Sequence, residues 1–163
     1  MLGIDPGTTG MGYALLALDR EPPRLIAHGL VPTPRLASSA EKLLAIAEAL
    51  DEMIATYAPG FLALERLYFN KNAKTAMAVA EARGVALVCG ARAGLVIAEY
   101  TPQEVKQSVT GDGGADKRAV QRMLIHLLEL REPVTQDNVA DAIAIAITHA
   151  QRVKFTAAVA SAK

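Results

Sequence analysis

The sequence has one cysteine, no net charge and no long apolar run, and the first and the last of these features each argue against a class of protein. The lone Cys89 cannot build an internal disulfide framework, which argues against a small secreted scaffold. No stretch approaches the ~20 consecutive apolar residues of a membrane-spanning helix, and the first residues lack the basic segment and apolar run of a signal peptide. We therefore expect a cytoplasmic protein.

The chain is long enough for one self-sufficient domain. At 163 residues it should bury about two-thirds of the surface that its unfolded form exposes. No repeat or low-complexity linker interrupts the sequence, and an alanine-rich stretch follows Val153. We expect one domain over residues 1–153 and a C-terminal tail at 154–163 that frays.

The neutral net charge conceals an uneven distribution. Residues 1–65 carry four Lys or Arg against eight Asp or Glu, whereas residues 66–122 carry nine against five. A basic region beside an acidic one suits a nuclease, because phosphates attract cations. A scatter of solvated helix faces would give the same counts, so charge alone leaves both interpretations open.

The first half of the chain is rich in strand patterns. Residues 2–16 indicate a strand, a glycine-rich turn and a second strand, and residues 25–27 a third. Ser38 and Glu41 form a capping-box pattern before a helical apolar repeat. The apolar run at 61–65 is too short for a helix and predicts a buried strand with a carboxylate at its end.

The second half alternates helices with a further strand. Alanine's helix propensity favours a helix over the alternating stretch at 142–147, although strict alternation also suits a strand. The pattern predicts helices from about 72 to 92, 103 to 109, 117 to 130 and 136 onwards, and a strand at 95–100. This order indicates an α/β sheet with helices on both faces.

Three acidic residues stand in apolar surroundings: Asp5, Glu65 and Asp141. A buried carboxylate without a partner costs several kcal/mol, so each needs a cation, a hydrogen-bond cluster or a metal ion. Two lie at predicted strand ends and one on a helix, which could bring them to one edge of the sheet. Divalent cations bound through carboxylates would satisfy all three.

Each of these acids also has a purely structural interpretation. Asp5 could cap the turn that follows it. Ion pairs could satisfy the other two, Glu65 with Arg66 or Arg83, and Asp141 with Arg118 or Arg122. For one residue the structural interpretation is the more common, but three acids in apolar surroundings together favour a functional site.

The segment at residues 3–10 (GIDPGTTG) resembles motifs of two different classes. It is similar to the opening motif of the RuvC resolvases, in which a strand-end Asp holds metal. It is also similar to the first phosphate loop of actin-like ATPases and sugar kinases. The second class needs two related domains and a second phosphate loop, which 163 residues with one such motif cannot supply.

The resemblance to the RuvC family extends over residues 2–149 in order. Four further segments carry it: 65–69 (ERLYF), 81–85 (EARGV), 105–109 (VKQSV) and 140–149 (ADAIAIAITH). It implies a ribonuclease-H-like fold with a mixed five-stranded sheet and helices on both faces. It also implies a structure-specific endonuclease, a Holliday junction resolvase that makes paired symmetric nicks in four-way junction DNA and leaves 5′-phosphate ends.

The resemblance also implies cofactors and partners. The family's activity depends on Mg²⁺ or Mn²⁺, with two ions per active site, and its members act as homodimers beside a branch-migration helicase complex. Further residues match family positions that contact DNA: Tyr68, Phe69, Lys71, Asn72, Lys106 and Lys117. Burial in the core is as good an interpretation as base stacking for at least one of the two aromatic residues.

One member of the family's metal-binding set differs in this chain. Asp5, Glu65 and Asp141 match three positions, but the fourth, usually Asp and sometimes His, is Asn138, and Asp137 precedes it. An amide oxygen ligates hard cations without carrying charge, so we expect Mn²⁺ to support more activity than Mg²⁺. Asp137 could instead supply the fourth carboxylate. A junction-binding protein with weak or no cleavage is the remaining alternative.

Overall fold

The computed structural model of the protein describes residues 1–7, 10–34, 36–66 and 73–161. These residues form one sheet of strands with the spatial order β3-β2-β1-β4-β5. The strands are β1 (Leu2–Asp5), β2 (Gly12–Ala17), β3 (Arg24–Leu30), β4 (Phe61–Glu65) and β5 (Val96–Tyr100). Strands β1, β2 and β3 are antiparallel neighbours, whereas β4 pairs in parallel with β1 and β5, so the sheet is mixed as predicted.

The helices begin and end close to where the sequence patterns place them. They are α1 (Ser39–Tyr57), α2 (Ala73–Arg92), α3 (Pro102–Thr110), α4 (Lys117–Leu128) and α5 (Asp137–Ser161). The predicted capping box at α1 is confirmed, because Glu41 N–H donates to the Ser38 hydroxyl and Ser38 N–H donates to the Glu41 carboxylate. Helix α4 stops two residues early because Glu129 adopts a left-handed conformation (φ 52°). Helix α5 continues through the alanine-rich stretch to Ser161.

The sheet separates two apolar cores, which confirms helices on both faces. On one face α1 and α2 pack over Leu2, Ile4 and Leu64. On the other face α3, α4 and α5 pack over a core that includes Ala63 and Tyr100. Successive strand residues point to opposite faces, so β4 sends Leu64 to the first core and Ala63 to the second.

Helix α5 is the central element of the second core. Its residues are buried from 139 to 150 except for Asp141, which is half-buried. The helix lies very close to the sheet, because a β-carbon on Gly3 would collide with Ala142 and Ala146, and one on Gly12 would collide with the Asn138 carbonyl oxygen. The predicted buried helix is therefore confirmed. Among the described helices, none is long and apolar enough to cross a membrane.

Candidate active site at the sheet edge

The three predicted carboxylates come to one edge of the sheet. Asp5 ends β1 and Glu65 ends β4, and these neighbouring strands run parallel, so their carboxyl ends lie side by side. Asp141 lies on the second turn of α5, the helix that packs against β1. All three residues are half-buried. The topology thus unites residues that are 136 positions apart in sequence, from 5 to 141.

The acids at this edge are only partly compensated by positive charge. Burial raises the pKa of Asp5 to about 7, and the carboxylates of Glu65 and Asp141 add to the shift. Burial also raises the pKa of Glu65 above its usual range, with a further contribution from Asp141. The pKa of Asp141 is raised mainly by burial. A site that holds several half-buried carboxylates with raised pKa values favours a bound cation.

Two lysines border the cluster. The ammonium group of Lys117, at the start of α4, lies 3.0 Å from Asp137 Oδ2 and 3.9 Å from Asp141 Oδ2. It opposes the rise in the pKa of Asp5, and Lys117 and Lys106 both oppose the rise in the pKa of Asp141. The positive charges of both lysines thus act on the acidic cluster. Lys117 is nevertheless 63% exposed and is available to a charged substrate.

The carboxylates are neighbours without forming a closed ligand cage. Within residues 1–7, 10–34, 36–66 and 73–161, no three His, Cys, Asp or Glu side chains stand close enough together to hold a metal ion as they are oriented. The donor chemistry nevertheless fits a hard divalent cation, because the available ligands are carboxylate oxygens. Cation binding would also relieve the repulsion that raises the Asp5 pKa. The residues therefore fit a divalent metal, given side-chain reorientation.

The two candidates for the fourth ligand differ in their contacts. Asp137 forms the ion pair with Lys117. Asn138 donates a hydrogen bond from Nδ2 to the carbonyl oxygen of Gly10, in the turn between β1 and β2. Its other polar atom, Oδ1, has no hydrogen bond from the described part of the chain. Asn138 thus keeps an oxygen available, whereas the Asp137 carboxylate is already engaged.

The ion pairs offered as structural alternatives for two of the acids do not form within the described residues. Neither Arg66 nor Arg83 pairs with Glu65, and Arg83 pairs instead with Glu99 on β5. Asp141 has Lys117 as its nearest cation rather than Arg118 or Arg122. Neither of these two arginines forms an ion pair within the described residues.

Some predicted DNA-contacting residues lie outside the described residues, and one contact was not foreseen. The predicted DNA-contacting residues outside the described ranges are Tyr68, Phe69, Lys71 and Asn72.

The contact that the sequence did not predict is the hydrogen bond from Asn138 to Gly10, two residues that are 128 positions apart. Only the glycine-rich turn pattern at residues 7–12 signals a close approach of backbone to another element there.

Comparison with known proteins identifies relatives over nearly the whole chain. The sequence profile of the family described as Crossover junction endodeoxyribonuclease RuvC matches residues 1–149. A protein of that name from Heliobacterium modesticaldum is 48% identical over 147 residues, which cover 90% of this chain and 91% of that protein. Its counterpart from Moorella thermoacetica is 46% identical over 150 residues, covering 92% and 90%.

A solved structure agrees with these relatives. The structure described as T. thermophilus RuvC in complex with Holliday junction substrate superposes with a TM-score of 0.89 at 32% identity, covering 95% of this chain and 94% of that one. The ribonuclease-H-like fold expected from the sequence is thereby confirmed. The match also decides between the two interpretations of residues 3–10 in favour of the resolvase motif.

Proposed function

The chain belongs to the RuvC family of crossover junction endodeoxyribonucleases, and from this premise we propose that it resolves Holliday junctions with Asp5, Glu65 and Asp141 as its catalytic carboxylates. The reaction is hydrolysis of DNA phosphodiester bonds at a four-way junction. One observation carries the assignment of residues: three half-buried carboxylates with raised pKa values lie at one edge of the sheet, two at the carboxyl ends of β1 and β4 and one on α5 beside them. We further propose paired symmetric nicks that leave 5′ phosphates.

Divalent metal dependence is the norm in this family, and the finer details are our proposal. The ligands would be Asp5, Glu65 and Asp141, with Asn138 contributing Oδ1. Two ions per site, Mg²⁺ or Mn²⁺, would supply Lewis acidity toward the scissile phosphate and its attacking water. The carboxylates themselves orient that water and keep the site negative until cations neutralise it.

The neutral Asn138 side chain bears on the choice of metal. With an amide in place of a carboxylate, the site holds three negative charges rather than four, which weakens cation binding. All the ligand atoms remain oxygens, but Mg²⁺ demands a near-ideal octahedral shell and loses its water reluctantly, so the weakened site should penalise Mg²⁺ more than Mn²⁺. We expect faster cleavage in Mn²⁺ at equal concentration, measured with a labelled junction under single-turnover conditions. Equal rates across a full titration of both metals would contradict this.

Lys106 and Lys117 are the proposed phosphate contacts beside the reacting bond. Both lie near enough to Asp141 to oppose the rise in its pKa, so a phosphate at the acidic cluster would lie within their field. Tyr68, Phe69, Lys71 and Asn72 are proposed on the family resemblance to contact the centre of the junction.

We propose a homodimer, because two matched cuts in a junction with near two-fold symmetry need two active sites. The outer face of α2 supports this: Met77 is 67% exposed and Val88 is 62% exposed. Gly84 lies between them on the same face and has open space around it. Analytical ultracentrifugation at micromolar concentration should show a dimer, and Val88→Asp should shift it toward monomer. A monomer at that concentration, with and without junction DNA, would contradict the proposal.

The remaining proposals concern cellular context. The family resemblance indicates a branch-migration helicase complex as a partner. The single cysteine, which is buried and unpaired, and a DNA substrate fit a cytoplasmic location.

A cleavage assay tests the proposed function most directly. The protein is incubated with a synthetic four-way junction or a linear duplex of the same sequence, with Mg²⁺, Mn²⁺ or EDTA. We expect two symmetric nicks in the junction only, dependent on the metal and sealable by ligase. Junction binding without nicking in either metal would favour the alternative, a binding protein whose site is disabled by Asn138.

A further inference from the structure

Asn138 contacts the turn between β1 and β2 through both its side chain and its backbone. Its Nδ2 donates to the carbonyl oxygen of Gly10. Its own carbonyl oxygen lies against Gly12, where a β-carbon would collide with it. The first turn of α5 is therefore seated directly on the end of the β1–β2 hairpin.

These contacts connect two of the proposed catalytic carboxylates. Gly12 is the partner of Asp5 in the register of β1 and β2. Asp141 follows Asn138 by three residues, which is about one helical turn. The separation of Asp5 and Asp141 consequently depends on how firmly the start of α5 is held on the hairpin.

The bond to Gly10 requires a donor at position 138. The amide of asparagine supplies N–H groups, whereas an ionised aspartate only accepts hydrogen bonds. An aspartate in the same rotamer would place a carboxylate oxygen against the Gly10 carbonyl oxygen with no hydrogen between them. This chain therefore makes a contact that the Asp usual at this family position cannot make.

We propose that Asn138 is a positioning residue, which locks the glycine turn to α5 and thereby fixes Asp5 relative to Asp141. The proposal rests on the proposed function of those two carboxylates. It differs from a ligand role in one essential respect, because the lock operates in the absence of metal. The Nδ2 atom holds the turn while Oδ1 remains available as a ligand.

The lock and the charge at position 138 predict opposite effects for Asn138→Asp. A regained negative charge alone would increase Mg²⁺-supported cleavage. Loss of the donor, however, releases the turn and adds repulsion against the Gly10 carbonyl. We expect this variant to cleave no faster than the wild type in Mg²⁺, despite its extra carboxylate.

The decisive experiment is hydrogen–deuterium exchange of the full-length protein in EDTA, comparing wild type with Asn138→Ala. The alanine variant changes no charge and removes only the amide. We expect exchange in peptides covering residues 10–12 and the first turn of α5 to accelerate about 3- to 10-fold, as for loss of one hydrogen bond. Peptides from β5 and α4 should not change. Asp137→Asn is the matched control for residues 10–12, because it removes the ion pair with Lys117 and leaves the Gly10 contact intact.

A double-mutant cycle tests whether the contact is direct. A β-carbon at Gly10 would lie 3.0 Å from Asn138 Nδ2, so Gly10→Ala should displace the amide. In EDTA, we expect Gly10→Ala to lower Tm in the wild-type background by more than in the Asn138→Ala background, because the second background has no amide to displace. Strictly additive Tm changes would overturn a direct lock.

Two outcomes separate this proposal from the proposed active site. Metal-free exchange in Asn138→Ala that equals the wild type would overturn the lock, and leave the carboxylate assignment standing. Full cleavage by Asp5→Asn would instead remove Asp5 from the site and, with it, the positioning role. Faster exchange at residues 10–12 together with slower cleavage at saturating metal supports the proposal.

Discussion

At one edge of the sheet, Glu99 has a full ion-pair partner, whereas Asp5, Glu65 and Asp141 do not. Glu99, one residue before the end of β5, pairs with Arg83 of α2 in a half-buried contact. Asp5, Glu65 and Asp141 lie on β1, β4 and α5, and burial raises the pKa of each, with Glu65 and Asp141 adding to the rise for Asp5 and Asp141 adding to it for Glu65. The fold thus provides an arginine partner for Glu99, to which we assign only a structural role. Three acids left with incomplete compensation therefore indicate a site prepared for an external cation.

The largest expected effect separates these two sets by activity. Asp5→Asn, Glu65→Gln and Asp141→Asn should each reduce the rate of junction cleavage by about 10³-fold or more, because each removes a charge that binds the cations acting on the transition state. Glu99→Gln should cleave at nearly the wild-type rate. Single-turnover cleavage of a labelled junction measures both.

Binding measurements complete this test. Junction affinity of the three variants in EDTA should remain within a few-fold of the wild type, because phosphate contacts supply most of the affinity. A variant that cleaves normally would exclude its residue from the site, and a large loss of rate in Glu99→Gln would abolish the distinction.

The second test compares the free energy of unfolding of Asp5→Asn and Glu99→Gln, which we expect to change in opposite directions. In EDTA, native Asp5 retains its proton up to about pH 7, whereas unfolded Asp5 loses it near pH 4. The native state thus binds more protons within this window, and stability falls as pH rises through it. Asp5→Asn should be more stable than the wild type by about 1–3 kcal/mol above pH 7, with the difference vanishing toward pH 4.

Glu99→Gln should instead be less stable than the wild type, because it leaves Arg83 half-buried without its partner. We expect a loss of about 1–2 kcal/mol near neutral pH, reduced from a fully buried pair by partial exposure. Urea unfolding at several pH values measures both variants. The comparison fails if Asp5→Asn destabilises the metal-free protein at pH 8.

The smallest effect concerns the lysines that border the acids. Lys106→Ala and Lys117→Ala should each weaken junction binding a few-fold and reduce the slope of log affinity against log salt by about 0.9, through loss of one phosphate contact. The effect should not depend on the DNA sequence. Lys42→Ala, on α1 at the other face of the sheet, serves as the control. An unchanged salt slope in both lysine variants would exclude these contacts.

Local sequence patterns were sufficient to predict most of the fold. The capping box at Ser38, the short apolar run before Glu65 and the apolar stretch around Asp141 each depend on neighbours in sequence, so their elements are predictable. The mixed five-stranded sheet followed from the family resemblance, whereas the parallel pairing of β1 with β4 was identified only in the structure. Element ends were less predictable, as the left-handed Glu129 shows.

Long-range side-chain partners could not be predicted in the same way. The candidate acids were identifiable because each carboxylate interrupts an apolar run. Which cation pairs with which acid depends on the orientation of each helix about its axis, because Lys117 points about 100° or more away from Arg118 and Arg122 on α4. The bond from Asn138 to Gly10 depends on the docking of α5 onto a turn far away in sequence. No local pattern encodes such a distance.

With Asp5 and Asp141 as the proposed catalytic carboxylates, we expect the rate of reaction to depend on the glycines beneath α5, which have no functional group. Gly3 and Gly12 set the thickness of the layer between the strand that carries Asp5 and the helix that carries Asp141. A methyl group added at either glycine would push α5 away from the sheet and increase the distance between the Asp5 and Asp141 carboxylates. A misplacement of about 1 Å costs on the order of 100-fold in rate. Glycine at these two positions would thus keep Asp5 and Asp141 at the separation that the reaction requires.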